Sequence, residues 1–396
     1  MKAIKELIIS THNPVIKGGV LKMMLFIGDN PPDNSFQTKY YYPSHSILDL
    51  FKFKVVSEEL SGQKALKYFT FPYIEFLQYL FPALYMKKFD SQAIYFGVGG
   101  TALSALLLYF KSSKYLIWIA TTYKSEFKTQ KNIFRNFQIY YLLNLILYPL
   151  NRFFEKLVIK NAKRIISLSS FTKGNLLKEY NISEDKIKIL NIPVDTDFFY
   201  FKRRILPENR RIKILNVCRL DDPRKNLVLL VNAVCDLITR GYNIELILAG
   251  SSKKKKMKTL KKALQKIRGY YRLETSERYV VTNELYQDAD LFVLTSRQEG
   301  LGIVILEAMS SGIPVISTKC GGPEEIIINK ENGILIMNES KEELINAIIS
   351  LITNRDLYNK LSIEGRNTIE KKFSPEVLVK QLKQIYQEEY PELIKE

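Results

Sequence analysis

Short apolar runs of strand length alternate with helical segments along most of this chain, and that alternation limits the fold more than any other property. Strand character is clearest at residues 7–10, 93–96, 115–120, 164–168, 187–190, 213–217, 244–249, 291–294 and 315–317. Residues 101–110, 171–179, 227–239, 257–267, 303–311 and 341–353 read as helices between or after them. Such alternation predicts α/β architecture, with parallel sheets covered by helices on both faces. At 396 residues the chain exceeds one ordinary core. It reads as two Rossmann-like domains, residues 1–200 and 205–373, joined by a charged linker near 199–211 (FYFKRRILPENRR). The two sheets are expected to face a central cleft, with ligands beyond the carboxyl ends of the strands. A last helix over 374–396 starts at Ser374 as N-cap, with Pro375 at its first position and Glu376 in its first turn. Its apolar residues Val377, Leu378, Leu382, Ile385 and Tyr386 give it one face to pack, back on the N-terminal domain.

Hydrophobic content of 46% with 25% charged residues is that of a globular chain. Cys218, Cys235 and Cys320 have no paired spacing, which excludes a disulfide framework and fits a reducing, cytoplasmic setting. The start, MKAIKELIISTHN, does not read as a signal peptide. The longest apolar segment, 139–150, contains Asn144 and Pro149 and spans about 12 residues, short of the roughly 20 a bilayer requires. The net charge of +18 is uneven: residues 1–203 carry 28 Lys and Arg against 15 Asp and Glu, a net of +13. An excess of that kind points to an anionic partner, either a membrane surface or nucleic acid, or else to solubility and attraction for phosphate substrates.

The chemistry concentrates between residues 295 and 336. There the turn Gly300-Leu301-Gly302 follows an apolar strand and opens a helix at Ile303, which Gly312 and Pro314 end. A strand, glycine turn and helix aim unpaired amides and the positive end of a helix dipole at one spot, which suits phosphate. Glu299 and Glu307 flank that turn. Carboxylates repel phosphate and accept hydrogen bonds from hydroxyls, so donors for phosphate beside acceptors for hydroxyls describe a nucleotide-sugar site. Upstream, Arg219 follows the strand 213–217, and Lys225 stands at the start of the next helix. A guanidinium fork and an ammonium so placed fit a diphosphate.

These residues carry a family resemblance. Ser296-Arg297-Gln298-Glu299-Gly300-Leu301-Gly302, Leu306-Glu307-Ala308-Met309, Gly312, Pro314-Val315-Ile316 and Gly321-Gly322-Pro323-Glu324-Glu325-Ile326 resemble the signature of glycosyltransferase family 4. Arg219-Leu220 with Arg224-Lys225-Asn226-Leu227 resembles the same family's segment at the first strand of its C-terminal domain. Residues 162–172 and 191–198 resemble its approach to the linker, and the likeness is strong from about 160 to 335 and weak before 110. The resemblance implies a GT-B fold and retaining transfer of a sugar from a nucleotide-sugar to a lipid-linked, glycan or polysaccharide acceptor. It implies catalytic roles for Glu299, Arg219 and Lys225, with Glu299 at the sugar hydroxyls and the cations at the diphosphate. It places Glu307 on the ribose and Gly300, Leu301, Gly302 and Ile303 along the sugar and phosphates. Gly18 and Gly19 occupy the place of an early glycine turn near the phosphates, although the segment after them reads as breaking down sooner than a helix. No metal or other cofactor is implied. The acceptor site is open: the strand at 115–120 runs into Thr121-Thr122-Tyr123 where the family often has a histidine, and His12 and Thr121 are the candidates.

Asp195-Thr196-Asp197 and Asp288-Ala289-Asp290 imitate a metal motif of a different glycosyltransferase fold and read as turn residues. The lysine run 253–256 with Lys258, Lys261 and Lys262 opens a helix and reads first as a solvated face and second as an anionic contact. Residues 124–163 interleave Phe, Tyr, Leu and Ile with Lys and Arg, which fits either a packed amphipathic helix or one lying on an anionic bilayer, a peripheral membrane placement. Two other functions remain open on sequence, another nucleotide-sugar enzyme such as an epimerase and a basic nucleic-acid-binding protein. The second is disfavoured because the basic residues do not gather around a reading module, so nucleic acid is not an expected partner.

Overall fold

The central strands of both sheets are short and buried on both faces, so each sheet needs helices above and below it. In the computed structural model, residues 5–11, 18–44, 55–68, 75–86, 93–112, 114–133, 138–252, 257–276 and 281–394 are described. They fall into two compact units, Met1–Pro193 with Leu378–Glu396, and Val194–Val377.

Among the described residues, the first unit holds an eight-stranded sheet in the order β3-β4-β2-β1-β5-β6-β7-β8. Its strands are β1 (Lys5–Thr11), β2 (Phe36–Pro43), β3 (Val55–Leu60), β4 (Gln63–Tyr68), β5 (Ile94–Gly99), β6 (Leu116–Ile119), β7 (Arg164–Ser167) and β8 (Ile187–Ile189). All pairs are parallel except the β3–β4 hairpin at one edge, which departs from the expected all-parallel sheet. The helices are α1 (Gly19–Asp29), α2 (Glu75–Tyr85), α3 (Leu106–Lys111), α4 (Tyr123–Ile133), α5 (Gln138–Asn161) and α6 (Ser170–Tyr180). Helix α1 corrects the reading of a segment that soon breaks down. Met23, Met24, Phe26 and Ile27 bury one side of it, and Gly18 is its N-cap.

Among the described residues, the second unit holds six parallel strands in the order β11-β10-β9-β12-β13-β14. These are β9 (Ile212–Val217), β10 (Ile244–Ser251), β11 (Tyr271–Ser276), β12 (Leu291–Leu294), β13 (Val315–Thr318) and β14 (Ile334–Ile336). The chain starts at the centre, builds outward to β11, then returns to the other side of β9. That is the Rossmann order, with its switch point between β9 and β12. Helices α7 (Leu227–Thr239), α8 (Lys258–Leu264), α9 (Asn283–Asp288), α10 (Ile303–Ser310), α11 (Pro323–Ile326), α12 (Lys341–Thr353) and α13 (Arg355–Lys372) cover it. On α7, Leu227, Leu230, Val231, Val234 and Leu237 recur at helical spacing and are buried against Leu246 and Leu248 of β10 and Leu344 and Ile348 of α12. Each such leucine contributes about 1.5–3 kcal/mol by its burial.

The segment 199–211 does not behave as a linker. Arg204 is buried and donates to the carbonyls of Tyr286, Gln287 and Ala289 at the end of α9, and to that of Ser311 at the end of α10. One guanidinium thus satisfies the orphan carbonyls of two helix C-termini, where a cation also suits the dipole. Helix α14 (Pro375–Glu389) begins in the second unit and runs into the first. There the Tyr386 ring meets Phe96 edge-on at 6.3 Å, and Glu389 pairs with Arg164.

Candidate functional site

At the switch point of the second sheet, the ends of β9 and β12 feed two loops that are stitched together. Thr295, just past β12, donates through Oγ1 to the Lys225 carbonyl at 3.0 Å, and the Arg297 amide donates to the Arg224 carbonyl at 2.7 Å. Arg297 Nη1 adds a 2.8 Å bond to the Pro223 carbonyl. This stitching brings Lys225 to Glu299, with Nζ 2.6 Å from Oε1. Ser296 Oγ donates to the same oxygen at 2.6 Å. Burial alone draws the Lys225 ammonium down, but the Glu299 carboxylate outweighs it, and the lysine stands above its ordinary pKa. Lys225 is therefore a fixed positive charge.

Beside it lies a second charged group, centred on Asp222. Its carboxylate is buried, caps the turn Pro223–Lys225 by accepting from the Arg224 amide at 3.0 Å, and receives Arg224 Nη2 at 2.6 Å and Arg219 Nη2 at 2.5 Å. Burial pushes the Asp222 carboxyl up, yet the bonds from Arg224 and Arg219 hold it well below the usual carboxylate range. Arg219 remains 56% exposed in its side chain, so its fork is tethered on one side and open on the other. Cys218 lies between β9 and Arg219, and burial pushes its thiol up to about 12.

The glycine turn is built by close backbone approach. Gly302, the N-cap of α10, sits at φ 94°, a left-handed conformation that favours glycine. The loop after β13 lies directly on the turn: a Cβ on Gly322 would be 2.2 Å from Leu301 Cα, and the Glu299 carbonyl accepts from the Gly322 amide at 3.0 Å. Glu307, on α10, is only 5% exposed and accepts from the Tyr286 hydroxyl at 2.6 Å. The fold thus gives the two glutamates different environments, one among cations and the other beside a phenol.

The structure brings together Arg219, Lys225, Glu299 and the turn Gly300, Leu301, Gly302 and Ile303 at the carboxyl edge of the second sheet. Gly18, Gly19 and Thr121 belong to the first unit. Thr121 follows β6, and its amide donates to the Gly100 carbonyl at 2.8 Å. His12 and the lysine run 253–256 lie outside the described residues. Asp222 was missed in the sequence, although the Asp-Asp-Pro-Arg-Lys order carries a cap signal. Missed too was the Gly99-Gly100 turn after β5, beside the switch point of the first sheet. A Cβ on Gly99 would meet Ser104 Oγ at 2.2 Å, and the Ser104 carbonyl accepts from Ser10 Oγ of β1 at 2.6 Å. Three of the four aspartates in the two imitation motifs have partners for their carboxylates. Asp195 accepts from the Asp197 and Phe198 amides, Asp288 pairs with Lys213 and Arg272, and Asp290 pairs with Arg210. Among the described residues, no three His, Cys, Asp or Glu side chains gather as a metal site would require.

The family model of Glycosyl transferases group 1 matches residues 198–368. A probable sucrose-phosphate synthase of Thermosipho melanesiensis is 27% identical over 248 residues, covering 59% of this chain and 56% of that protein. CapM, a capsular polysaccharide biosynthesis glycosyltransferase of Staphylococcus aureus, is 24% identical over 250 residues, covering 59% and 63%. The chain thus spans less than two thirds of the length of these relatives. Among solved structures, Anabaena Alr3699/HepE in complex with UDP superposes with a TM-score of 0.72 at 14% identity, covering 97% of this chain and all of that one. The chain is therefore an α/β protein of two sheet-containing units whose fold is similar to that of GT-B glycosyltransferases, and its residues 198–368 carry the likeness to Glycosyl transferases group 1.

Proposed function

We propose that the chain is a retaining glycosyltransferase that takes a sugar from a nucleotide-sugar held by the second unit and passes it to a glycan, polysaccharide or lipid-linked acceptor. The observation that carries this reading is the pairing of Lys225 with Glu299, 2.6 Å apart beside a glycine turn at the sheet's switch point. Diphosphate oxygens would meet Lys225, the open side of Arg219 and the amides of Gly300 to Ile303. Sugar hydroxyls would donate to Glu299, and the ribose would lie toward Glu307. Similarity to a protein crystallised with UDP and to CapM supports a nucleotide donor and a polysaccharide-type acceptor.

The hard step is departure of the nucleoside diphosphate. The bond from the anomeric carbon to the phosphate oxygen breaks, negative charge grows on the leaving group, and Lys225 and Arg219 stand fixed to meet it. The acceptor oxygen bonds to the anomeric carbon from the same face, and its proton passes to the departing phosphate oxygen. No protein nucleophile takes part.

Thermal-shift titration against a panel of nucleotide-sugars, followed by assay of nucleoside diphosphate release with and without glycan acceptors, tests the reading. A ligand present at a hundred times its Kd adds about 2.7 kcal/mol of stability. A panel that leaves Tm unchanged and yields no diphosphate would reject it.

A further inference from the structure

The first unit carries a surface that the donor chemistry does not use. Helix α5 has two faces from Leu145 onward. On the inner face, Asn151 and Glu155 are buried and accept from the Phe76 amide at 3.2 Å and the Tyr123 amide at 2.9 Å, fixing α5 to the first turns of α2 and α4. The outer face shows Leu145, Ile146, Leu150 and Phe153, each between 45% and 62% exposed. Their spacings of one, four and three set them on a single stripe. Helices α2 and α3 pack against α5, with Phe76 stacked on Phe154 at 5.0 Å, and add the exposed Leu84 and Phe110. Among the described residues, these six are the large apolar side chains that the first unit exposes. Scattered singly they would mean nothing, but they are confined to three neighbouring helices.

On α5 and in the loop after α3, the exposed charged side chains are lysines. Lys156 and Lys160 continue the stripe past Phe153 and are exposed, as is Lys114 just after α3. Glu155 is the one acid in the sequence of α5, and it is buried. We propose that this face of α2, α3 and α5 docks on an anionic lipid bilayer, its apolar side chains entering the headgroup boundary while Lys114, Lys156 and Lys160 meet the lipid phosphates. A protein partner would call for polar groups of both signs around the patch. Exposed lysines on α5 and just after α3, in a half of the chain with a net charge of +13, complement a uniformly negative sheet. No helix among the described residues is long and apolar enough to cross a membrane, so this contact lies on the bilayer and does not span it.

Sedimentation of the full chain with phosphatidylcholine vesicles, and with vesicles in which about a third of the lipid is phosphatidylglycerol, tests this without any substrate, and its outcome is independent of the donor-site reading. The expected result is recovery with the anionic vesicles alone. Ile146→Glu with Phe153→Glu should weaken it at least about tenfold, and Lys156→Glu with Lys160→Glu by a similar factor. All four positions are exposed, and if the first pair fails to keep the wild-type Tm, the lysine pair carries the test. Equal recovery with both vesicles, no recovery with either, or undiminished binding by the folded variants would overturn the proposal. So would a concentration-dependent dimer in sedimentation velocity that Phe153→Glu abolishes while vesicles go unbound, which would assign the face to a second copy.

Discussion

A methyl group on Gly322 would lie 2.2 Å from Leu301 Cα and 2.4 Å from its nitrogen, contacts that no side-chain rotation relieves. Gly322→Ala should therefore displace the glycine turn, costing about 1–3 kcal/mol in urea unfolding and weakening nucleotide-sugar binding with it. A variant with unchanged stability and affinity would show that the turn is not held from that side. Lys225→Met removes one charge of a half-buried pair and leaves Glu299 without its cation. Turnover should fall by about 10²–10³, mostly in kcat, if Lys225 meets charge that develops on the leaving group. A loss confined to KM would assign it to ground-state binding instead. Asp222 sets a pH signature. Its folded pKa lies below the unfolded value near 3.8, so its stabilisation is complete above that value and is lost as pH falls through it toward the folded one. Asp222→Asn should flatten the loss of stability between about pH 5 and about pH 2, and an unchanged acid limb would contradict this. These residues differ in how plainly the sequence announces them. Glu299 and Lys225 stand in a long motif. Asp222 matters through a cap and two arginines whose convergence appears only once the turn is folded, and Tyr286 reaches Glu307 from another helix.

At the scale of elements, β9, β10, β12 and β13 were legible almost to the residue, because a parallel strand covered on both faces reads as an unbroken apolar run. Strand β2, FQTKYYYP, escaped notice because its lysine and tyrosines look like surface sequence. Helix α13 escaped for a similar reason, being rich in charge with few buried side chains. The error over 199–211 is the most instructive, since a run of arginines with a proline has the composition of a linker. What overrides composition there is the supply of unsatisfied carbonyls at the ends of α9 and α10, which a single guanidinium can meet. Arg204→Met should lower unfolding stability by about 2–4 kcal/mol, since several buried acceptors lose their donor together. Wild-type stability in that variant would restore the linker reading.

For the whole molecule, the first unit is discontinuous, made from residues up to Pro193 and again from Leu378 onward. Leu378, Leu382, Ile385 and Tyr386 are buried on the returning helix α14. Each is worth about 1.5–3 kcal/mol, comparable together with the whole margin of an ordinary domain. Deleting residues 375–396 should leave the first unit open to limited proteolysis while the second stays resistant, and equal resistance of both would show that α14 is dispensable. The same arrangement sets an order of assembly at the ribosome. The second unit is synthesised whole, between the two parts of the first, and can close before residues 378–396 are made. The first unit must wait, with the Phe96 side of its sheet uncovered, until residues 378–396 emerge. For that interval the nascent chain would hold a finished second unit and an unfinished first one, a natural substrate for holdase chaperones.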